Sequence, residues 1–176
     1  MDFRAQLTEA RNWGADALAL TSLYTEMGLI IKQAVTDLGW RPFIMGGDGV
    51  NPAIFEIAGD DAMEGSFWIQ AMSYTDPKVI ALDDLHEQEF GSRAVVPSNL
   101  VSAYDIMMFI ADAITRAGVA EGPAIRDAMA VTENLEVTHF VWTVDRETNN
   151  PLNKPAAILR ATDGQLQFVE LWAPHD

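Results

Sequence analysis

Asp48 is the residue whose surroundings most suggest chemistry. It stands in Gly46-Gly47-Asp48-Gly49, directly after the apolar run Pro42-Phe43-Ile44-Met45. If that run is a strand of a parallel sheet, the aspartate falls at its carboxyl edge, where open α/β sheets hold their ligands. A carboxylate there can form a charge-assisted hydrogen bond with an ammonium group. It can equally bond the backbone of its own turn, as aspartate often does. The three glycines permit a turn that other residues would strain. Gly47 and its fellow glycines could also bring backbone N–H groups close to a bound molecule.

The remaining constellations are weaker. Asp83, His86 and Glu87 fall at i, i+3 and i+4 of a predicted helix, a spacing that could hold an adventitious divalent ion. The window His86-Glu87-Gln88-Glu89-Phe90 lacks the second histidine of a zinc-protease helix, so solvated surface is the expectation. His139 is read as a strand-edge or interface residue, and His175 is almost terminal. The glycine stretch has neither the Lys-Ser/Thr of a phosphate loop nor the spacing of a dinucleotide fingerprint. Ser66 has no Gly-x-Ser-x-Gly elbow around it. Trp13, Trp40, Trp68, Trp142 and Trp172 are scattered, as core or interface residues are. No enzyme activity, cofactor or metal is expected.

Composition narrows the class of protein. The 176 residues carry 26 acidic side chains against 11 basic ones, a formal charge of −15. Only Lys32, Lys78 and Lys154 are lysines, so no basic patch exists to meet nucleic acid or an anionic membrane surface. The absence of cysteine removes disulfides, thiolate metal sites and thiol nucleophiles. The start, Met1-Asp2-Phe3-Arg4-Ala5-Gln6-Leu7, has no basic region or apolar core of a signal peptide. The most apolar stretch, Tyr104 to Ile114, is interrupted by Asp105 and Asp112 and is shorter than the ~18 residues of a membrane span. A soluble protein is expected.

The periodicity then supplies elements to position Asp48. Phe3, Leu7 and Ala10 predict a helix over 2–13 closed at Gly14. Ala15 to Leu20 reads as a buried strand. Thr25 is expected to cap a helix in which Met27, Ile31, Ala34 and Leu38 share a face, with Gly39 as its stop. The strand at 42–45 follows, Asn51-Pro52 opens a short helix, and Gly59 and Gly65 bracket a turn before the strand Phe67 to Met72. Strands alternating with helices imply a parallel sheet. Helices are predicted from Val79 to Phe90, Ser98 to Ala117 and Pro123 to Val131. From Leu135 short strand-like runs take over, through Val137, Phe140 and Val144, and end in a hairpin at Asp163-Gly164.

The ordered set resembles the C-terminal half of the type I periplasmic solute-binding proteins of branched-chain amino acid transport. The matching stretches are Asp16 to Leu20, Tyr24-Thr25-Glu26-Met27-Gly28, Phe43-Ile44-Met45-Gly46-Gly47-Asp48-Gly49-Val50, Ala58-Gly59, Glu64-Gly65, Ala103-Tyr104-Asp105 through Ala117-Gly118, and Asn153-Lys154-Pro155 with the hairpin. The resemblance covers essentially the whole chain and implies an α/β fold, a Rossmann-like parallel sheet flanked by helices, forming an incomplete lobe with a C-terminal β-hairpin. It implies second-lobe sheet over 1–72, a helical part of the first lobe over 73–144, and a return to the second lobe over 145–176. The family's N-terminal half has no counterpart here, so the chain is expected to be part of a receptor.

In such receptors a small ligand is enclosed between two lobes and handed to an ABC transporter permease outside the cytoplasm. The resemblance puts Asp48 where an acidic residue grips the α-amino group of an amino acid. It puts Leu23, one residue before Tyr24, where the family presents an aromatic to the ligand. One side of a clamp implies weak binding by the chain alone. First-lobe helices without their sheet would expose Val101, Tyr104, Met108, Ala111 and Ile114, so self-association through the Ser98–Ala117 helix is expected. Two other classes stay open. One is a small cytoplasmic α/β enzyme or regulatory domain using Asp48 as acid or metal ligand; the other is a structural self-association module.

Overall fold

The computed structural model describes residues 1–173, so His175 lies outside the described residues. The chain divides into two units: Met1–Ser73 with Ala157–Leu171, and Tyr74–Ala156 with Trp172 and Ala173.

The first unit begins with helix α1 (Arg4–Asn12), whose Leu7 is buried, and Gly14 follows at φ +84°. Strand β1 (Ala17–Leu20) leads into helix α2 (Tyr24–Lys32), which continues as one π-helical turn over Gln33–Asp37 before Gly39 at φ +60°. Buried Gln33 ties down the chain start: its carboxamide oxygen accepts from the Phe3 amide at 2.6 Å, and its Nε2 donates to the Met1 carbonyl at 3.1 Å. Leu23, not Thr25, caps α2, and it offers no side-chain bond. The loop that carries Gly49 lies directly on the Ser22 carbonyl, just ahead of this junction.

Strand β2 (Phe43–Gly46) is followed by helix α3 (Ile54–Ala58), one-turn helix α4 (Asp60–Met63) and strand β3 (Phe67–Gln70). Asn51 Oδ1 accepts from the Ala53 amide at 2.8 Å within a preceding turn, so α3 starts later than Asn51-Pro52 suggested. The turn expected between Gly59 and Gly65 contains α4, and both glycines have positive φ. Strands β1, β2 and β3 are parallel. Strands β6 (Ala156–Thr162) and β7 (Gln165–Trp172) complete the sheet in the order β1-β2-β3-β6-β7, with β6 antiparallel to β3. Asp163 and Gly164, at φ +52° and +73°, form the expected hairpin turn, in which both central residues are left-handed.

The sheet alternates faces as a period of two requires. Ile44, Trp68 and Leu159 are buried with Met27, Ile31, Ile54 and Met63, whereas Phe43, Met45 and Ile69 are exposed. Trp68 is the largest fully buried side chain. Its indole N–H donates to Ser66 Oγ at 2.8 Å, and that hydroxyl donates to the Met63 carbonyl at 2.7 Å. A Cβ at Gly46 would overlap the Trp68 ring, and one at Gly49 would overlap the Ser22 carbonyl. Gly46, Gly47 and Gly49 all lack the positive φ that a turn role implied. Close approach, not backbone conformation, requires glycine at 46 and 49.

The second unit holds helices α5 (Pro77–Phe90), α6 (Pro97–Ala117) and α7 (Gly122–Ala130), each with proline in its first turn. Asp76 caps α5 by accepting from the Lys78 amide at 2.8 Å, and Gly91 and Gly118 close α5 and α6 in left-handed conformation. On α6 the buried stripe is Val101, Asp105, Phe109 and Ala113, spaced by four. Phe109 stacks on Trp142 at 4.4 Å. Val101 is therefore covered, contrary to expectation, while Tyr104, Met107 and Met108 are exposed. The chain re-enters the first unit at Ala157.

Strands β4 (Leu135–Glu136) and β5 (Val141–Trp142) form a two-residue ribbon, and Val137 and Phe140 lie outside it. Val144 makes only an isolated bridge to Pro151. The ribbon ends in a tight turn closed by the Val137 amide, which donates to the Phe140 carbonyl at 3.1 Å; within that turn Thr138 N–H donates to Asp105 Oδ1 at 2.9 Å, and the Thr138 hydroxyl donates to the same oxygen at 2.6 Å. His139, read from sequence as an edge residue, is buried with Nδ1 3.2 Å from Asp105 Oδ2, close enough to pair when protonated but without hydrogen-bond alignment. Burial alone would push the Asp105 carboxyl up; the neighbouring imidazole and the two Thr138 donors outweigh it and hold the group below the ordinary carboxylate value.

Two predictions follow from this packing. Gly46→Ala should lower stability by roughly 1–3 kcal/mol, because the indole and strand must move apart. Gly47→Ala, which would meet no atom within 4 Å, should stay within about 0.5 kcal/mol of wild type. Urea unfolding of both variants checks the contrast, and equal midpoints would refute it. For Asp105 the folded value lies below an unfolded value of about 3.9. The native state therefore binds fewer protons in that window, and stability rises with pH across it. That contribution is complete above the unfolded value and is lost as pH falls through the folded one. Asp105→Asn should cost roughly 1.5–3 kcal/mol at neutral pH, with the deficit shrinking as acid protonates the wild-type carboxyl. A deficit unchanged at all pH values would show that the charge is immaterial.

Candidate functional site

Three parallel strands end on one edge of the first unit, and their loops build the site there. Leu23 and Tyr24 follow β1, Gly47 and Asp48 follow β2, and Gln70 ends β3. The first two loops touch, since Gly49 packs on Ser22. Gly47 N–H donates to the Leu20 carbonyl at 3.3 Å, and the Val50 amide closes the turn onto the Gly47 carbonyl at 3.4 Å. All four residues singled out for ligand contact thus share one sheet edge.

Their availability differs. Leu23 is 66% exposed, Tyr24 is half-buried, and Asp48 is exposed. Among the described residues the Asp48 carboxylate accepts no hydrogen bond and joins no ion pair, so the turn-bonding role open to it in the sequence is not the one it takes. Gly47 has its N–H committed to Leu20, leaving it a part of the turn's frame. The edge offers an acidic acceptor, a phenol and an apolar side chain. That set can take an ammonium group next to an apolar substituent.

Sequence reasoning missed Gln70. It is 1% exposed, and its Nε2 donates to the Val50 carbonyl at 2.8 Å and the Asp48 carbonyl at 3.2 Å. Its signal was a polar residue on the buried register of an otherwise apolar strand.

The second unit contains its own concavities. A cavity of about 110 Å³ is lined by Ser102, Asp105, His139, Phe140, Trp142 and Lys154, with the Lys154 ammonium 5.4 Å from the Phe140 ring centre. A larger apolar one of about 580 Å³ lies against Phe109, Ile125, Met129 and Trp142. The acidic cluster on α5 is occupied by protein. Asp83 accepts from Arg93 at 3.0 Å and from the Ala94 amide at 2.8 Å, Glu87 pairs with Arg93 at 3.2 Å, and His86 Nδ1 lies 2.8 Å from the Ser92 carbonyl. Among the described residues no group of three or more His, Cys, Asp or Glu could hold a metal ion, and no helix is long and apolar enough to cross a membrane.

Comparison with known proteins gives this arrangement its relatives. The family model described as periplasmic binding protein matches residues 1–165. A leucine-, isoleucine-, valine-, threonine- and alanine-binding protein of Pseudomonas aeruginosa is 32% identical over 132 residues, 73% of this chain and 34% of that protein. A leucine-binding protein from Thermotoga maritima superposes with a TM-score of 0.82 at 27% identity, covering 98% of this chain and 49% of the other. The branched-chain amino acid transporter substrate-binding protein of Streptococcus pneumoniae, solved with isoleucine, gives 0.81 at 25% identity, with 98% and 49% covered. The chain spans about half the length of these solved relatives and a third of the curated one. Matched by the family model over residues 1–165 of its 176, the chain belongs to the periplasmic binding protein family.

Proposed function

We propose that this chain forms one wall of an extracytoplasmic receptor that captures an amino acid and delivers it to an ABC transporter. The observation that carries the reading is Asp48: an exposed carboxylate without a partner among the described residues, on a loop held from three sides, at the carboxyl edge of a parallel sheet. The P. aeruginosa relative is named for binding five neutral amino acids, which have in common an α-ammonium group that a carboxylate can grip. Leu23 and Tyr24 supply apolar surface beside it, and Gly47 shapes the turn. Residues 1–72 with the terminal hairpin make up one lobe, and the helical segment contributes to the other.

Affinity in a two-lobed clamp comes from closing both walls over the ligand. One wall alone binds weakly. Isothermal calorimetry of the chain with leucine should show millimolar or weaker binding that disappears in Asp48→Ala. Micromolar binding that persists in Asp48→Ala would overturn both the clamp and the site.

The exposed apolar side chains of α6, Tyr104, Met107 and Met108, favour a second copy of the chain as a partner through Ser98–Ala117. Sedimentation velocity across protein concentration should show reversible association that Met107→Glu with Met108→Glu reduces. A monodisperse monomer at all concentrations would sink that assignment.

A further inference from the structure

We propose that Gln70 is the positioning residue of the ligand edge, fixing the loop that carries Asp48 from beneath; this rests on the ligand reading of that edge. The side chain rises from the end of β3, where the buried register that includes Trp68 calls for an apolar residue. Both protons of its carboxamide nitrogen are directed to loop carbonyls, those of Asp48 and Val50. The opposite amide orientation would set an oxygen against two oxygens, so the network itself fixes which way the group points. Its Oε1 is buried and has no partner among the described residues. Packing does not account for an amide here, since an apolar side chain of similar length would fill the position without burying an unpaired oxygen. Its contacts do account for it: one amide nitrogen supplies donors to two carbonyls of the loop. Asp48 carbonyl and carboxylate belong to one residue, so holding the first orients the second while leaving it free for a ligand.

Amide exchange and leucine titration by NMR on the whole chain test the assignment. The variants are Gln70→Met, which keeps length and loses both donors, and Gln70→Glu, which keeps an acceptor and loses both donors. The protected Gly47 and Val50 amides should exchange about tenfold faster in either variant, while β6 and β7 amides keep their wild-type rates. The leucine-induced shifts of the Asp48 and Gly49 amides should need about tenfold more leucine. Unchanged loop exchange, or an equal rise throughout the unit, would overturn the role. If both variants fail to fold, wild type decides: the Gln70 side-chain amide protons must exchange more slowly than those of exposed Gln88, and equal rates would refute the clamp. If leucine shifts no loop amide in wild type while the variants loosen the loop, the ligand reading fails and the clamp stands. If leucine binds wild type and variants alike, the clamp fails and the ligand reading stands.

Discussion

An indole laid against bare backbone sets the geometry on which the sheet edge bearing Asp48 depends. Trp68 is fully buried, and β2 can pass beside it at sheet spacing only because residue 46 has no side chain. That pairing decides where the chain leaves the sheet as Gly47–Val50. Two further constraints hold the loop: Gly49 seated on the Ser22 carbonyl, and the Gln70 amide beneath the Asp48 and Val50 carbonyls. Backbone polar groups must find partners when removed from water. Here those of the loop find them in Leu20 and Gln70, not in the Asp48 side chain. The loop is thus fixed through its backbone, while the Asp48 carboxylate takes no hydrogen bond among the described residues.

The second unit handles a carboxylate in the opposite way. Asp105 sits on the buried stripe of α6, where an unpaired charge would be expensive. Thr138 satisfies one oxygen twice and His139 stands beside the other. The same interaction anchors the turn that joins β4 to β5, which the Val137 amide closes on the Phe140 carbonyl. Exposed and unpartnered at residue 48, buried and surrounded at residue 105, the two acids show that residue type says little about role until neighbours are known.

Both units leave apolar side chains in water: Phe43, Met45 and Ile69 on one sheet face, Tyr104, Met107 and Met108 on α6. Alternation within β2 and β3 and the four-residue stripe of α6 explain which side chains these are, because each element has one face turned to its own core and one turned away. Contiguous apolar surface of this kind marks places where further contacts form.

Most of the local structure was legible in the chain itself. The helix stops at Gly91 and Gly118 and the Asp163-Gly164 hairpin are decided by backbone sterics within a few residues. The strand–helix alternation and the edge position of Asp48 follow from periodicity, which is also local. What escaped was every feature that needs two distant segments: Gln70 reaching residues 48 and 50, Thr138 bonding Asp105, Gly49 resting on Ser22. The glycines at 46 and 49 are the clearest case. Their presence was visible and a turn was the local explanation, but φ stays in the ordinary region at both, and the cause lies in a ring and a carbonyl more than twenty residues away. Sequence by itself determined the elements and the sheet edge, since dihedral preference and hydrophobic period act over short range. Only the tertiary structure decided which polar groups are spent and which are free, because that depends on neighbours brought together by packing.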